Sequence, residues 1–337
     1  MSNDKRLRLA LFGSGRIGQV HARNIAAHPD IDLVLIADPF IDGARRLAES
    51  TGARAVQDPE EVFADTSLDG VIIGSPTSTH VDLISRSVAH NLAVLCEKPI
   101  DLDIDNVLAC REQIKDTTVP IMLGFNRRFD PSFAAVRTRV EAGEIGKLEQ
   151  LTITSRDPEP APRDYLAGSG GIFRDMTIHD LDMARSFIPD IVEVTAVASN
   201  VFSKEIEELN DFDSAVVTLR GSKGELITIT NSRHCAFGYD QRLEAFGAGG
   251  MLSAANVAPT TVRKSGATGT EEADAYLPFF LERYPQAYYA ELDAFAHSIR
   301  TGAPTSPNFA DGVSALVLAN AAAESAITGK TVSVIDL

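Results

Sequence analysis

A lysine and an aspartate–histidine pair are the residues of this sequence best suited to chemistry. Lys98 follows an apolar run, where a strand end would direct its ammonium toward a ligand crevice. Asp175 and His179 are four residues apart, so a helix would place them on one face. A carboxylate beside an imidazole orients it and stabilises its charged form. Such a pair can take the proton of an alcohol as its hydride leaves, although each feature alone is equally typical of a protein surface.

A glycine-rich segment at residues 13–18, Gly-Ser-Gly-Arg-Ile-Gly, fits the pattern G-x-G-x-x-G. It follows a predicted strand and opens a predicted helix. Its first glycine permits a tight turn, its second lets the backbone approach a pyrophosphate, and its third allows close packing of helix on strand. The helix N-terminus offers free N–H groups to phosphates. The cofactor contacts predicted here are Gly13, Ser14, Gly15, Arg16 and Ile17.

Asp38 ends the second predicted strand, 20 residues after the last glycine (38 − 18). An acid at this place accepts hydrogen bonds from the adenosine ribose and repels a 2′-phosphate, which favours NAD over NADP. Arg16 argues the other way, so dual use stays open. Two later loops also follow parallel strands, residues 74–80 and 97–99. They add Ser75, Pro76, Thr77, His80, Glu97 and Lys98 to the predicted cofactor contacts.

The elements that carry these residues alternate between strand and helix up to about residue 125. The strands are continuous apolar runs, which is typical of a buried parallel sheet. The predicted fold class is therefore α/β, with a doubly wound Rossmann sheet over residues 1–124. A cis Lys98–Pro99 bond is left open by the sequence.

The pattern changes after residue 125. Alternating runs at 148–155, 192–201, 214–220, 225–232 and 241–246 predict a large, open and mostly antiparallel sheet. Residues 125–337 are thus predicted to form an α+β domain for substrate binding and oligomerisation. Whether the last helix packs back on the first domain is left open.

Composition narrows the class of partner. The net charge is −16, from 47 acidic and 31 basic residues, which disfavours nucleic acid and anionic membrane surfaces. The three cysteines are an odd number without metal spacing, and the histidines form no H-x-x-x-H pair, so no metal is predicted. The segment Met1–Arg8 lacks the apolar core of a signal peptide, and a cytoplasmic location is expected.

The motifs together resemble the Gfo/Idh/MocA oxidoreductases over nearly the full length. The resemblance is carried by the loop at 13–18, by Glu97-Lys98-Pro99, and by the run from Gly170 to His179. Within that family the chain is most similar to inositol 2-dehydrogenases. The segments that support this are 124–130, 155–158, 172–179 and 238–242.

The resemblance implies an NAD-dependent dehydrogenase of a cyclic polyol, assembled as a tetramer through its open sheets. The catalytic residues it implies are Lys98, Asp175 and His179. The substrate contacts it implies are Lys98, Asn126, Arg127, Asp157, Asp175, His179 and Tyr239. Ile172 and Phe173 depart from the family pattern, where many members carry a third glycine and small residues, and we expect them to reshape the pocket wall.

The expected reaction is oxidation of myo-inositol to 2-keto-myo-inositol (scyllo-inosose) in inositol catabolism. Three alternatives remain at this stage. One is oxidation of scyllo-inositol or another sugar by the same chemistry. The second is an NAD-dependent glycosidase, in which hydride returns to the product. The third is a non-catalytic regulator that senses the dinucleotide.

Overall fold

The computed structural model describes residues 5–334, so the outermost parts of the expected terminal segment and of both expected domains lie outside it. The chain divides into two compact units. Unit 1 contains residues 1–129 and 286–313, and unit 2 contains residues 130–285 and 314–337. Unit 1 thus continues past the expected boundary at residue 124, and it includes a late segment that the sequence assigns to the second domain.

The strands are named in chain order. They are β1 (Leu7–Phe12), β2 (Ile31–Ala37), β3 (Arg54–Val56), β4 (Gly70–Ile73), β5 (Ala93–Cys96), β6 (Ile121–Leu123), β7 (Leu148–Arg156), β8 (Ile191–Ser199), β9 (Ser214–Gly221), β10 (Leu226–Ser232), β11 (Asp240–Gly247), β12 (Gly250–Ala254), β13 (Arg263–Gly266), β14 (Gly269–Ala273) and β15 (Val332–Ser333).

The α-helices are named in the same way. They are α1 (Arg16–Ala27), α2 (Ile41–Thr51), α3 (Glu60–Phe63), α4 (His80–Ala89), α5 (Ile104–Ile114), α6 (Pro131–Glu141), α7 (Arg163–Gly168), α8 (Ile178–Phe187), α9 (Lys204–Glu208), α10 (Phe280–Arg283), α11 (Pro285–Thr301) and α12 (Phe309–Thr328). Short 3₁₀ turns lie at Thr77–Thr79 and Asn126–Phe129, and a π-helical turn lies at Phe173–Thr177.

Unit 1 is built on a six-stranded sheet in the order β3-β2-β1-β4-β5-β6, with every pair parallel. This is the order of a dinucleotide-binding Rossmann sheet. Strands β4 and β5 are buried along their whole length, as their apolar sequences require. Leu292 and Phe295 of α11 belong to the same hydrophobic core, which explains why this late helix is part of unit 1.

Unit 2 is built on a seven-stranded sheet in the order β12-β11-β7-β10-β9-β8-β15. All its pairs are antiparallel except β7 with β10, which are parallel. In β9, buried and more exposed residues alternate, so one face packs in the core and the other is open. The predicted α/β class with an open, mostly antiparallel second sheet is confirmed.

The main differences from the sequence prediction are short elements of unit 2. Helices α7, α9 and α10 have only four to six residues each, and strands β13 and β14 are exposed throughout. Asp175 and His179 do not lie on one continuous α-helix, because α8 begins at Ile178 and the preceding five residues form the π-helical turn. In the part of the chain that the structure covers, no helix is long and apolar enough to cross a membrane.

Asp213 fixes the loop between β8 and α9. Its carboxylate is fully buried and accepts hydrogen bonds from the backbone N–H groups of Val201, Phe202 and Ser203 at 2.9–3.0 Å. Burial raises the pKa of Asp213, but these bonds and one from the Ser214 hydroxyl outweigh it, so the pKa lies below the ordinary 3.8.

We predict that Asp213→Asn lowers the free energy of unfolding by about 1–3 kcal/mol at pH 7, because an amide cannot accept all of these bonds. A folded-state pKa below the unfolded value means that the carboxylate stabilises the fold above about pH 4. This stabilisation disappears as pH falls through the folded-state pKa. Urea unfolding at pH 7 and at pH 3 measures both effects. Asp116→Asn, at an exposed site, is the control, and an equal loss in the two variants at pH 7 would contradict the prediction.

Candidate active site

The glycine loop of unit 1 joins β1 to α1 as predicted, and its geometry requires two of its glycines. Gly13 has a φ of +95°, and a Cβ there would lie 2.6 Å from the carbonyl oxygen of Gly74. A Cβ on Gly18 would lie 2.1 Å from the carbonyl oxygen of Gly13. Gly15 differs, because a Cβ there would meet no protein atom within 4 Å. Gly15 thus keeps space open above the start of α1, where a pyrophosphate can approach.

Asp38 lies at the end of β2 beside this loop. Its Oδ2 accepts hydrogen bonds from the backbone N–H and the hydroxyl of Ser14, both at 2.7 Å. Its Oδ1 accepts one from the N–H of Phe40 at 2.8 Å. A carboxylate has about four acceptor sites, so Asp38 keeps capacity for a ribose hydroxyl. The loop and the acid therefore fit an NAD molecule.

His80 begins α4, and its ring joins the two other predicted cofactor loops. Its Nε2 lies 2.9 Å from the carbonyl oxygen of Ser75, and its Nδ1 lies 2.8 Å from that of Pro99. The side chain is 1% exposed, and burial lowers the pKa of His80. The ring of His80 therefore lies between the two loops, and as a neutral imidazole it donates a hydrogen bond to one of these two carbonyls. Nearby, Pro76 is exposed and Thr77 is half-buried, as suits residues that contact a ligand.

Glu97, Lys98 and Pro99 follow β5, with a cis bond between Lys98 and Pro99. Glu97 is buried, and its Oε1 lies 2.8 Å from Nε2 of His21 on α1. Lys98 is half-buried. Because β5 pairs with β6 in parallel, the 3₁₀ turn with the predicted substrate residues Asn126 and Arg127 follows the neighbouring strand end. Both of these side chains are buried.

In unit 2, Asp175 lies within the π-helical turn and His179 lies in the first turn of α8. Asp175 Oδ1 accepts a hydrogen bond of 2.8 Å from the Tyr165 hydroxyl, and its Oδ2 lies 3.4 Å from Nη1 of Arg233. Burial and the negative charge of Asp175 raise the pKa of Tyr165. These contacts orient Asp175.

The remaining predicted substrate residues lie beside the ends of strands β7, β10 and β11 of the second sheet. Strands β7 and β10 run parallel, so Asp157 after β7 lies beside Arg233 after β10, and the Asp157 N–H donates to the carbonyl of Ser232 at 2.9 Å. Tyr239 precedes β11, whose start pairs with the end of β7. Asp157 and Tyr239 therefore lie at the same end of the sheet strands in unit 2, where Arg233 also contacts Asp175.

Two residues that contact Asp175 are not predicted from the sequence. Arg233 is 1% exposed and also pairs with Asp211 at 3.0 Å, while Tyr165 lies on the unpredicted short helix α7. The nearest signal in the sequence is the isolated charge of Arg233 at a predicted strand end. Ile172 and Phe173 are 0% and 3% exposed, and their effect on the pocket wall stays a prediction.

Comparisons with known proteins agree with this geometry. Residues 7–125 match the family model of an oxidoreductase family with an NAD-binding Rossmann fold. Residues 133–253 match the GFO/IDH/MocA C-terminal domain. The two matches correspond to the sheets of units 1 and 2.

Relatives cover almost the whole chain. An inositol 2-dehydrogenase of Rhizobium meliloti (strain 1021) is 43% identical over 97% of this chain and 99% of its own. The crystal structure of a myo-inositol dehydrogenase from Corynebacterium glutamicum ATCC 13032 is similar with a TM-score of 0.95 and 67% identity, covering 98% and 99% of the two chains. A scyllo-inositol dehydrogenase from Lactobacillus casei with bound NAD(H) and scyllo-inositol gives 0.89 and 26%, with 98% and 99% covered.

We predict that alanine substitutions separate two roles of the glycine loop. Gly18→Ala forces the backbone apart and lowers the melting temperature, because its Cβ would overlap the Gly13 carbonyl. Gly15→Ala leaves the melting temperature unchanged, since Gly15 has a φ of −67° and open space. The same variant weakens NAD binding at least about tenfold, because its methyl occupies the space of the pyrophosphate.

Calorimetry and thermal unfolding of both variants measure these effects. Gly52→Ala cannot serve as the control, because its φ of +77° adds strain. Gly168, which also has open space and lies on α7, provides a matched control as Gly168→Ala. Unaltered NAD affinity in Gly15→Ala would rule out the assigned path of the pyrophosphate.

Proposed function

Because this chain belongs to the Gfo/Idh/MocA oxidoreductase family, we propose that it oxidises myo-inositol to 2-keto-myo-inositol (scyllo-inosose) with NAD. It is an NAD-dependent dehydrogenase that acts on a CH–OH group. The observation that carries the proposal is the full-length similarity to inositol dehydrogenases, together with Lys98, Asp175 and His179 at the positions of the family's motifs.

His179 acts as the base in this proposal and accepts the proton of the reacting hydroxyl. Asp175 orients His179 and stabilises its charged form, and Asp175 is itself fixed by Tyr165 and Arg233. Lys98 donates a hydrogen bond to the same oxygen and offsets negative charge that develops there. When bound, NAD accepts the hydride at C4 of its nicotinamide.

The cofactor is held by unit 1 in this proposal. The loop and the start of α1 bind the pyrophosphate through Gly13, Ser14, Gly15, Arg16 and Ile17. Asp38 accepts hydrogen bonds from the adenosine ribose, and Ser75, Pro76, Thr77, Glu97 and Lys98 border the remainder. His80 contributes from its place between the loops, with Nε2 2.9 Å from the Ser75 carbonyl oxygen and Nδ1 2.8 Å from that of Pro99.

The polyol carries many hydroxyls, so its site needs many polar groups. We assign Asn126, Arg127, Asp157 and Tyr239 to this task. Asn126, Arg127 and Tyr239 are buried and Asp157 is half-buried, and a few placed polar groups of this kind fix the orientation of a ligand. The isomer that is preferred depends on the direction of one hydroxyl, and relatives include enzymes of both myo- and scyllo-inositol.

A panel of polyols assayed with NAD and with NADP tests the function. We expect NADH to form from myo-inositol with the highest kcat/KM, and scyllo-inositol and glucose to react more slowly. Preference for scyllo-inositol would change the substrate but keep the chemistry. Cleavage of an aryl glycoside without net NADH would indicate a glycosidase, and NAD binding without turnover of any polyol would indicate a regulator.

We predict that His179→Ala lowers kcat at least about 10²-fold if His179 is the base. His297→Ala replaces an exposed histidine and serves as the matched control with unchanged turnover. Initial rates of NADH formation at saturating myo-inositol provide the measurement. Near-normal kcat in His179→Ala would remove this residue from the role of base.

A cytoplasmic homotetramer completes the proposal. The open face of the second sheet carries apolar side chains that a partner would cover, among them Val197, Val216 and Phe246, which are 71%, 48% and 40% exposed. The cysteines Cys96, Cys110 and Cys235 are buried and free, which suits a reducing compartment. Sedimentation equilibrium at the mass of four chains checks the assembly.

A further inference from the structure

Three ionisable side chains meet in the interior of unit 1, and we call them the buried triad: His21 on α1, Glu97 after β5 and Glu291 on α11. Their nitrogen and oxygen atoms lie within 4.8 Å of one another. His21 is 1% exposed, Glu97 8% and Glu291 0%. Within residues 5–334, neither carboxylate oxygen of Glu291 has a hydrogen-bond partner.

The surroundings of the buried triad are crowded. Tyr288 on α11 lies edge-on to the ring of His21, with 5.9 Å between ring centroids. The end of β6 approaches from another side, since a Cβ on Gly124 would lie 2.8 Å from Oε2 of Glu97. Close packing of this kind restricts the side-chain rotamers of the triad.

Two carboxylates and a neutral imidazole at this depth would carry two negative charges with little hydration. An ionised carboxylate that is buried without a hydrogen bond costs several kcal/mol, and a like charge beside it adds repulsion. Burial and the charge of Glu97 therefore raise the pKa of Glu291 well above its ordinary value. A proton on Glu291 removes one charge and supplies a donor to the triad.

A shared metal ion is another way to neutralise these groups. The 2.8 Å between His21 Nε2 and Glu97 Oε1 is a hydrogen-bond distance. Two ligands at about 2.0 Å from one tetrahedral zinc would lie about 3.3 Å apart. The geometry of this pair therefore favours a proton.

We propose that Glu291 is a neutral carboxylic acid that, together with His21, fixes the Glu97 carboxylate and so positions Lys98, the next residue of the chain. The inference rests on the role proposed above for Lys98. A fixed Glu97 side chain holds the backbone from which Lys98 projects, and His80 holds the far side of the turn through the Pro99 carbonyl at 2.8 Å. Glu291 is thus a positioning residue that acts through Glu97.

Two substitutions of Glu291 test its protonation state and its role. Glu291→Gln keeps a donor and an acceptor without charge, and we expect kcat within about threefold of wild type. Glu291→Leu keeps the bulk but removes both, and we expect kcat to fall at least about tenfold. Glu49→Gln, at an exposed site on α2, is the matched control.

Infrared spectra of the wild type and of the variants at pH 7, compared with one another, detect the proton on Glu291 directly. The carbonyl band of a protonated carboxyl should be present in wild type and in Glu49→Gln and absent in Glu291→Gln. Absence of this band from active wild-type protein would overturn the inference. So would a stoichiometric metal, found by elemental analysis, that is lost in Glu291→Gln, or wild-type kcat in Glu291→Leu.

Gly124→Ala keeps the test decisive if Glu291→Leu does not fold. The added Cβ would lie 2.8 Å from Oε2 and 3.1 Å from Cα of Glu97, which displaces Glu97 and leaves Glu291 in place. We expect a lower kcat with the infrared band retained, and unchanged kcat would count against the positioning of Lys98.

The infrared band can be measured without turnover, so it separates this inference from the proposed function. Wild-type protein that shows the band but forms no NADH from any polyol would contradict the proposed function and uphold the neutral Glu291.

Discussion

The ion pairs of the buried guanidinium of Arg233 are the interactions on which the position of Asp175 in unit 2 depends. A charged group that is 1% exposed needs carboxylate partners, and Arg233 has Asp175 and Asp211. Asp211 in turn accepts the N–H of Ile172 at 2.8 Å, and the absence of a side chain at Gly171 makes room for it. Arg233 therefore joins the end of β10 to the π-helical turn, and the direction of Asp175 is set by the second sheet.

Much of unit 1 could be predicted because its information is local. Continuous apolar runs predict a buried parallel sheet, and β1 to β6 form one. The glycine loop and Asp38 have a fixed spacing with a known physical purpose, and the structure places them together. Helix α11 lies much later in the chain, and only its tertiary packing assigns it to this core.

The rest of the site could not be predicted, because it depends on contacts between residues far apart in sequence. Arg233 and Asp175 are separated by 58 positions, and His21 and Glu97 by 76. No periodic pattern marks either pair. The short helix α7 and the exposed strands β13 and β14 bury too few apolar residues to give a helical or alternating signal. The π-helical turn likewise has the composition of an ordinary helix.

In both units, a half-buried residue that we propose for the reaction adjoins a buried ionic neighbour. Lys98 follows Glu97, which His21 holds, and Asp175 contacts Arg233, which Asp211 holds. Replacing buried ionic groups by apolar residues of similar size is often neutral or stabilising. Stability alone therefore gives little reason for such groups to occupy the interior. An apolar core cannot supply this direction and rigidity. The hydride leaves the carbon and the proton leaves its hydroxyl oxygen in one reaction only when both acceptors are held in fixed places.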